Sequence, residues 1–226
     1  MTKHAESETP ARRARRRLPL GWICGFAAWM TAAGAALAAM SDLASQPGAP
    51  ALAPTSWPTA SRLARTPGRG TLVMVAHTKC ACTRASLREL ERVMARAGSR
   101  VEAFVVFVGP RDSNADGVLD LRTMAGAMKN VRVIEDETEA RIFGAATSGQ
   151  VLLYAESDAL VFRGGITVAR GHEGDSAGGE IVRRFAVTGH VAPSSGPSTT
   201  ASEVFGCALY DNHDSGTQAP GARRDP

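Results

Sequence analysis

Apolar residues in this chain occur in two alternating patterns. In one, short runs are almost wholly apolar, as in TLVMVAH at 71–77, which is typical of strands buried on both faces. In the other, apolar residues recur at helical spacing and charged residues occupy the remaining positions. Their order predicts an α/β fold with a mixed sheet flanked by helices: parallel strands joined by right-handed crossovers, then an antiparallel pair. The predicted strands are 71–77, 101–108, 131–134, 150–155 and 159–164, and the predicted helices are 83–97, 118–128, 136–144 and 174–187.

A longer apolar run precedes this pattern. The 23 residues from Leu18 to Met40 carry no charge, and as a helix they would span roughly 30 Å, the thickness of a bilayer core. Five arginines stand in the basic segment 1–17, and no basic residue follows the run until Arg62. The positive-inside rule therefore predicts a single-pass inner-membrane anchor at 18–40, with the C-terminal part of the chain in the periplasm.

A cleaved signal peptide is the alternative interpretation of this run. Ala-Leu-Ala at 36–38 resembles a processing site. The run is longer than a usual signal core of about 7–15 residues, which favours a retained anchor.

Composition predicts the remaining domain boundaries. Residues 41–70 contain five prolines among Ala, Ser and Gly, so we expect a linker that holds the domain away from the membrane. The alternating pattern defines a folded domain at 71–189. Residues 190–226 are rich in Pro, Ser and polar residues, and predict a flexible C-terminal segment that includes Phe205-Gly206-Cys207.

The positive charge of the chain belongs to its N-terminus. The formal net charge is +4, but residues 1–40 hold six Lys and Arg against two acidic residues, which leaves the remainder with twenty of each sign. A neutral domain has no long-range field that would attract a phosphate backbone. The sequence therefore argues against nucleic acid as a partner.

Two cysteines, Cys80 and Cys82, stand between the first predicted strand and the first helix of the domain. A helix N-terminus stabilises a thiolate, and Lys79 and Arg84 would add positive charge. We expect an exposed Cys80 to attack as the nucleophile and Cys82 to resolve the mixed disulfide. The ring that such a close pair closes is small and strained, so its disulfide should be a fairly strong oxidant.

Other interpretations of the pair remain open. A structural disulfide this short would constrain almost no loop entropy, so stabilisation is a poor reason for it. Two neighbouring thiolates suit Cu(I), with His77 as a candidate third ligand, and a non-catalytic adaptor is a third interpretation. Cys207 is expected to resolve a disulfide, to provide a third thiolate for a metal, or to pack beneath Val204 and Phe205.

Several short motifs together resemble the RedB-like branch of the thioredoxin-like superfamily, membrane-attached proteins of bacteria. The resemblance implies a thioredoxin-like fold and a redox centre at Cys80 and Cys82 that acts on thiols or disulfides of envelope proteins, with no cofactor. The matching residues are His77-x-x-Cys80-x-Cys82-Thr83, Phe143-Gly144, Thr147-Ser148-Gly149-Gln150, Gly164-Gly165-Ile166-Thr167, Arg170-Gly171-His172 and Phe205-Gly206-Cys207.

The chain departs from thioredoxins at two positions. They use Cys-x-x-Cys, whereas one residue separates the cysteines here. They also place a cis-proline opposite the cysteines, where this chain has Thr147-Ser148-Gly149. Because that proline shapes the surface that receives a substrate peptide, we expect a narrow range of partners.

Two further motifs are assigned ordinary structural roles. The run from Asp112 to Asp120 imitates the first half of an EF-hand loop, but Thr123 stands where a bidentate Glu is required, so a turn followed by a helix cap is expected. His172 lies in a glycine-rich loop, and we expect it to be solvated rather than catalytic.

Overall fold

The computed structural model describes residues 20–109, 116–190 and 199–210. It contains five helices and six strands in these ranges. The helices are α1 Leu20–Ser45, α2 Thr83–Ala97, α3 Asp116–Gly126, α4 Glu137–Ile142 and α5 Ala177–Thr188. The strands are β1 Gly70–His77, β2 Val101–Val108, β3 Val131–Ile134, β4 Gln150–Tyr154, β5 Leu160–Gly164 and β6 Thr200–Ala201.

The strands form one mixed sheet in the order β3-β2-β1-β4-β5-β6. β2 is parallel to its two neighbours, β1 and β3, while β4 is antiparallel to both β1 and β5. This is the predicted arrangement of parallel crossovers followed by an antiparallel pair. It places β1 at the centre of the sheet, with its C-terminal end next to the start of β4.

Both faces of β1 are buried, as its apolar pattern predicts. Leu72, Met74 and Ala76 pack in one core with residues of α2 and α5. Val73 and Val75 point to the opposite face and pack in a second core with residues of α4. Side chains alternate between the faces of a strand, so a strand covered on both sides has to be apolar at nearly every position.

Helix α1 satisfies the sequence criteria for a membrane span. Residues Gly21–Ser45 are long and apolar enough to cross a bilayer, and none of the most apolar window is buried inside the protein. The helix continues beyond the predicted end at residue 40, through Asp42 to Ser45. The basic residues predicted to precede it lie outside the described residues.

The segment that follows α1 differs from the expected linker. Residues 46–69 contain no helix and no regular strand, as the prolines predict, yet they are packed against the domain. The ring of Trp57 contacts Phe143 and Tyr154 edge-on, with centroids 5.0 and 5.2 Å away, and the Tyr154 hydroxyl donates to the carbonyl of Pro54 at 3.1 Å. Prolines indicate only the local conformation of the backbone. Their number therefore cannot predict contacts with residues that are distant in sequence.

Two buried carboxylates hold the end of this segment. Glu139 accepts hydrogen bonds from the Ser61 hydroxyl at 2.7 Å and from the Arg62 N–H at 2.8 Å. Glu102 accepts from the N–H and the hydroxyl of Thr66 at 2.6 and 2.8 Å. Burial raises the pKa of Glu102, but these hydrogen bonds and the charge of Arg132 outweigh that effect and lower it overall. Residues 61–66 therefore complete the second core rather than act as a free tether.

The described part of the C-terminal segment is also folded. Residues 199–210 include the short strand β6, which pairs in parallel with β5 and was not predicted. Val204 and Leu209 are buried on either side of Cys207. The two other parts of this predicted segment, 191–198 and 211–226, lie outside the described residues.

Candidate functional site

Local hydrogen bonds place the cysteine pair between β1 and α2, as the sequence predicts. The Cys80 N–H donates to the carbonyl of His77 at 3.1 Å, and the Thr83 N–H donates to the carbonyl of Cys80 at 3.0 Å. Cys82 occupies the N-cap position of α2, without a side-chain capping bond. The two turns bring both cysteines to the N-terminal end of α2.

Cys80 is buried, which contradicts the predicted exposure of this residue. Its exposed fraction is 3%, whereas Cys82 and Cys207 are half-buried. The sulfur of Cys80 is in contact with Ser148 and Cys207, two residues far away in sequence that no local pattern could have placed there. The more accessible sulfur of the pair therefore belongs to Cys82.

The structure brings a third cysteine into the site. The sulfur atoms of Cys80, Cys82 and Cys207 all lie within 4.8 Å of one another. The sulfur of Cys207 therefore lies where two of the roles considered for it, a resolving thiol and a third metal ligand, require it. All three cysteines of the domain are free thiols in this structure.

Ser148 links the cysteine turn to the start of β4. Its hydroxyl oxygen accepts the His77 N–H at 2.9 Å and lies 3.1 Å from the hydroxyl of Thr83. Thr83 in turn donates to the carbonyl of His77 at 2.9 Å, so Ser148 is the donor between the two hydroxyls, and its one proton is shared between Thr83 and the sulfur of Cys80. Ser148 belongs to the run Thr147-Ser148-Gly149, which the sequence predicts to replace the cis-proline region of thioredoxins, and no peptide bond among the described residues is cis.

Cys80 is the thiol of the site that ionises most readily. Burial raises its pKa, but the hydrogen bonds that its sulfur receives outweigh burial, so its pKa is lower than that of an ordinary cysteine. The donors are the thiol and N–H of Cys207, the N–H of Cys82 and the hydroxyl of Ser148. Of the three neighbouring thiols, Cys80 is therefore the one whose pKa is lowered.

The other two thiols are held in the protonated form. Burial raises the pKa of Cys82, and the nearby charge of Cys80 raises it further. Burial and the hydrogen bond to Cys80 raise the pKa of Cys207 to about 12. The guanidinium of Arg170 acts in the opposite direction and lowers the pKa of both residues. A second thiolate next to the first is disfavoured because like charges repel.

Three residues that the sequence proposed for the site have different surroundings in the structure: Lys79, Arg84 and His77. Lys79 and Arg84 are exposed at the surface, and the charge that acts on Cys82 and Cys207 comes from Arg170 instead. The Nδ1 atom of His77 accepts the Lys79 N–H at 3.2 Å, and the group of ligand atoms found among the described residues does not include His77.

His172 is exposed, as expected, with Nδ1 2.8 Å from the carbonyl of Arg170. In the EF-hand-like run, Asp112 and Asn114 lie outside the described residues.

Comparison with known proteins bears on the fold. No protein-family model matches the chain, and no curated protein matches its sequence. An uncharacterized conserved protein from Geobacillus kaustophilus is similar in structure, with 17% identity and a TM-score of 0.50 over 79% of this chain and 93% of that chain. A hypothetical protein from Sinorhizobium meliloti 1021 has 18% identity and a TM-score of 0.48 over 63% and 79%. Copper-bound ScoI from Bradyrhizobium japonicum has 15% identity and a TM-score of 0.36 over 53% and 86%.

The fold is thioredoxin-like. The units β1-α2-β2 and β4-β5-α5 form its centre, and the segment α3-β3-α4 is inserted between them. The fold class predicted from the sequence is confirmed. Identities below 20% carry no information about what the chain binds or transforms.

Sequence reasoning missed Ser148 and Arg170 as site residues. Both belong to the short motifs that carry the family resemblance, so a signal was present, but the motif shows neither a hydrogen bond nor a charge effect. Arg170 also donates to the carbonyls of Gly206 and Gln46, which fixes its guanidinium near the C-terminal segment.

The hydrogen bond from Ser148 can be tested directly. In a Cys24→Ser background we expect Ser148→Ala to raise the pKa of Cys80, because the thiolate loses a donor while its burial is retained. Ultraviolet absorbance of the thiolate, followed against pH, measures this shift. Ser61→Ala removes a hydroxyl that donates to Glu139 instead, and should leave the titration unchanged. An unaltered first ionisation in Ser148→Ala would show that the hydroxyl does not stabilise the thiolate.

Proposed function

We propose that the chain is a membrane-anchored thiol–disulfide oxidoreductase of the bacterial envelope, with Cys80 and Cys82 as its redox pair. One observation carries the proposal: the sulfur atoms of Cys80, Cys82 and Cys207 lie within 4.8 Å of one another at the start of α2, and the pKa of Cys80 is lowered there. A structural pair would not need a stabilised thiolate. The apolar helix α1 and the basic residues before it support an inner-membrane anchor with the domain in the periplasm.

The burial of Cys80 supports the following roles for the two sulfurs. A thiolate of the partner protein attacks Cys82, the more accessible sulfur of the Cys80–Cys82 disulfide, and the Cys80 thiolate leaves. A second partner thiolate then attacks the partner sulfur of the mixed disulfide and releases Cys82. The partner dithiol loses two electrons and two protons and becomes a disulfide. Cys80 and Cys82 gain the two electrons and end as two separate sulfhydryl groups, each in protonation equilibrium with the solvent. A thiol with a low pKa leaves faster, which suits Cys80 to this role.

This direction makes the oxidised form an oxidant of its partner. A thiolate on Cys80 can be stabilised only in the reduced form, because the disulfide carries no thiolate. This stabilisation lowers the free energy of the reduced form relative to the oxidised form. The strain of the small Cys-Ala-Cys ring acts in the same direction. The matching motifs support placing the chain in the RedB-like branch, and the serine at the cis-proline position supports a narrow partner range.

Thiol trapping of the full chain in detergent, across glutathione redox buffers, tests this proposal. In a Cys24→Ser/Cys207→Ser background we expect one reversible disulfide between Cys80 and Cys82. The bridge disappears in the further variant Cys80→Ser, while Cys24→Ser alone should leave the disulfides of the parent chain unchanged. A pair that stays reduced in every buffer would contradict the redox role and favour the adaptor interpretation.

The three sulfurs favour Cu(I) binding as a second candidate function. With metal–sulfur bonds of about 2.3 Å, three thiolates around one ion lie about 4 Å apart, and the three sulfur atoms here lie within 4.8 Å of one another. Thiolates select soft ions such as Cu(I), and the charge of Arg170 offsets part of the negative charge that they would bring together. Cys207 thus replaces His77 as the third ligand in this candidate site.

Anaerobic titration with Cu(I) against a competing chelator tests this candidate. We expect one ion per chain, bound at least about tenfold more weakly in Cys207→Ser because one of three soft ligands is lost. His77→Ala should retain the parent affinity. Equal affinity in Cys207→Ser, or a loss in His77→Ala, would exclude the three-sulfur site.

A further inference from the structure

The segment that carries Cys207 pairs with the residues before β4 through one antiparallel bridge. Thr147 and Ala208 form an antiparallel bridge. On either side of it, the Ser148 N–H donates to the carbonyl of Cys207 at 2.8 Å, and the Leu209 N–H donates to the carbonyl of Ala146 at 2.9 Å. Extended peptides bind to proteins by this kind of main-chain pairing, with specificity provided by side chains at alternate positions. Residues 204–209 thus occupy, from within the same chain, a site suited to an extended peptide.

Several contacts hold the segment 204–209 in one position. Val204 and Leu209, on either side of Cys207, are 2% and 4% exposed. The carbonyl of Val204 accepts the Gly48 N–H at 2.8 Å, and the carbonyl of Gly206 accepts from Arg170. A Cβ atom on Gly206 would lie 1.9 Å from the carbonyl oxygen of Ser148, so only glycine allows this close approach. The segment 204–209 is therefore held in position by contacts on both sides of Cys207.

Cys207 lies within reach of both sulfurs of the pair. Its thiol hydrogen-bonds to Cys80 and to Cys82, and its backbone N–H in addition contacts the sulfur of Cys80. The three sulfur atoms lie within 4.8 Å of one another, so Cys207 is placed where it can attack a disulfide that involves Cys80.

We propose that Cys207 is a third redox thiol, which forms a disulfide with Cys80 and is positioned for it by the segment 204–209. This inference rests on the proposed oxidoreductase function. Cys207, after losing its proton to solvent, attacks the Cys80 sulfur of the Cys80–Cys82 disulfide. The Cys80–Cys82 bond breaks, the Cys80–Cys207 bond forms, and the Cys82 thiolate leaves and takes up a proton. No electrons are gained or lost, and the oxidising equivalent moves from a strained ring into a larger one.

Disulfide mapping in the full chain tests the inference. The Cys24→Ser/Cys82→Ser chain is reduced, oxidised with oxidised glutathione in detergent, alkylated and analysed by mass spectrometry of its peptides. We expect a disulfide between Cys80 and Cys207 to form in most molecules. Oxidation of the Cys24→Ser chain should likewise give Cys80–Cys207, with Cys82 alkylated.

The positioning of Cys207 by the segment 204–209 is tested with a variant that retains both remaining cysteines, Cys80 and Cys207. In the Cys24→Ser/Cys82→Ser background, Gly206→Ala should slow closure of the Cys80–Cys207 bridge at least about tenfold, because the effective concentration of a thiol falls when its backbone pairing is broken. Gly126→Ala is the matched control: an added Cβ there meets its nearest neighbour at 3.8 Å, and closure should keep the parent rate. An unchanged rate of disulfide closure in Gly206→Ala would show that the segment 204–209 does not position Cys207.

The outcomes separate this inference from the proposed function. A closed Cys80–Cys82 bridge with Cys207 alkylated, and no bridge in the Cys82→Ser background, would overturn the role of Cys207 and leave the redox pair intact. Absence of a reversible bridge in both the Cys82→Ser and the Cys207→Ser backgrounds would overturn both proposals.

Discussion

The hydrogen bonds received by the buried sulfur of Cys80 are the interaction on which the site depends. They come from three parts of the chain: the start of α2, the residues before β4 and the C-terminal strand segment. In water a thiol is mostly protonated at neutral pH, and burial alone would make it more so. The donors act in the opposite direction and lower the pKa of Cys80, and they can do so only because the sheet brings the three parts together. The fold is therefore the means by which one of three neighbouring thiols ionises more readily than the other two.

The central position of β1 explains how the chain achieves this. Its end leads directly into the cysteine turn, and its antiparallel neighbour β4 begins at Gln150, just after Ser148. Gly149 donates to the carbonyl of Val75 at 2.8 Å, which fixes the residues before β4 against the end of β1. The C-terminal strand segment then pairs with those residues. Each layer depends on the previous one, so the position of Cys207 follows from the register of the sheet.

The sequence predicted what depends on local pattern. Every strand and helix between residues 70 and 188 was located within a few residues of its observed position, because periodicity and turn residues are properties of neighbouring positions. The location of Cys80 and Cys82 at the start of a helix was predicted for the same reason. The exposure of Cys80 was wrong because the residues that cover it, Ser148 and Cys207, are distant in sequence. The packed course of residues 46–69 was missed because the contacts of Trp57 are made with Phe143 and Tyr154, about a hundred positions away.

The reduction potential of the Cys80–Cys82 disulfide tests the central claim most directly. It is measured in the full Cys24→Ser/Cys207→Ser chain, free of copper, by equilibration with glutathione buffers. Because the strained bridge and the stabilised thiolate both favour the reduced form, the account predicts a potential above about −200 mV, in the range of envelope oxidants. A potential at or below about −270 mV, that of a reducing thioredoxin, would contradict it.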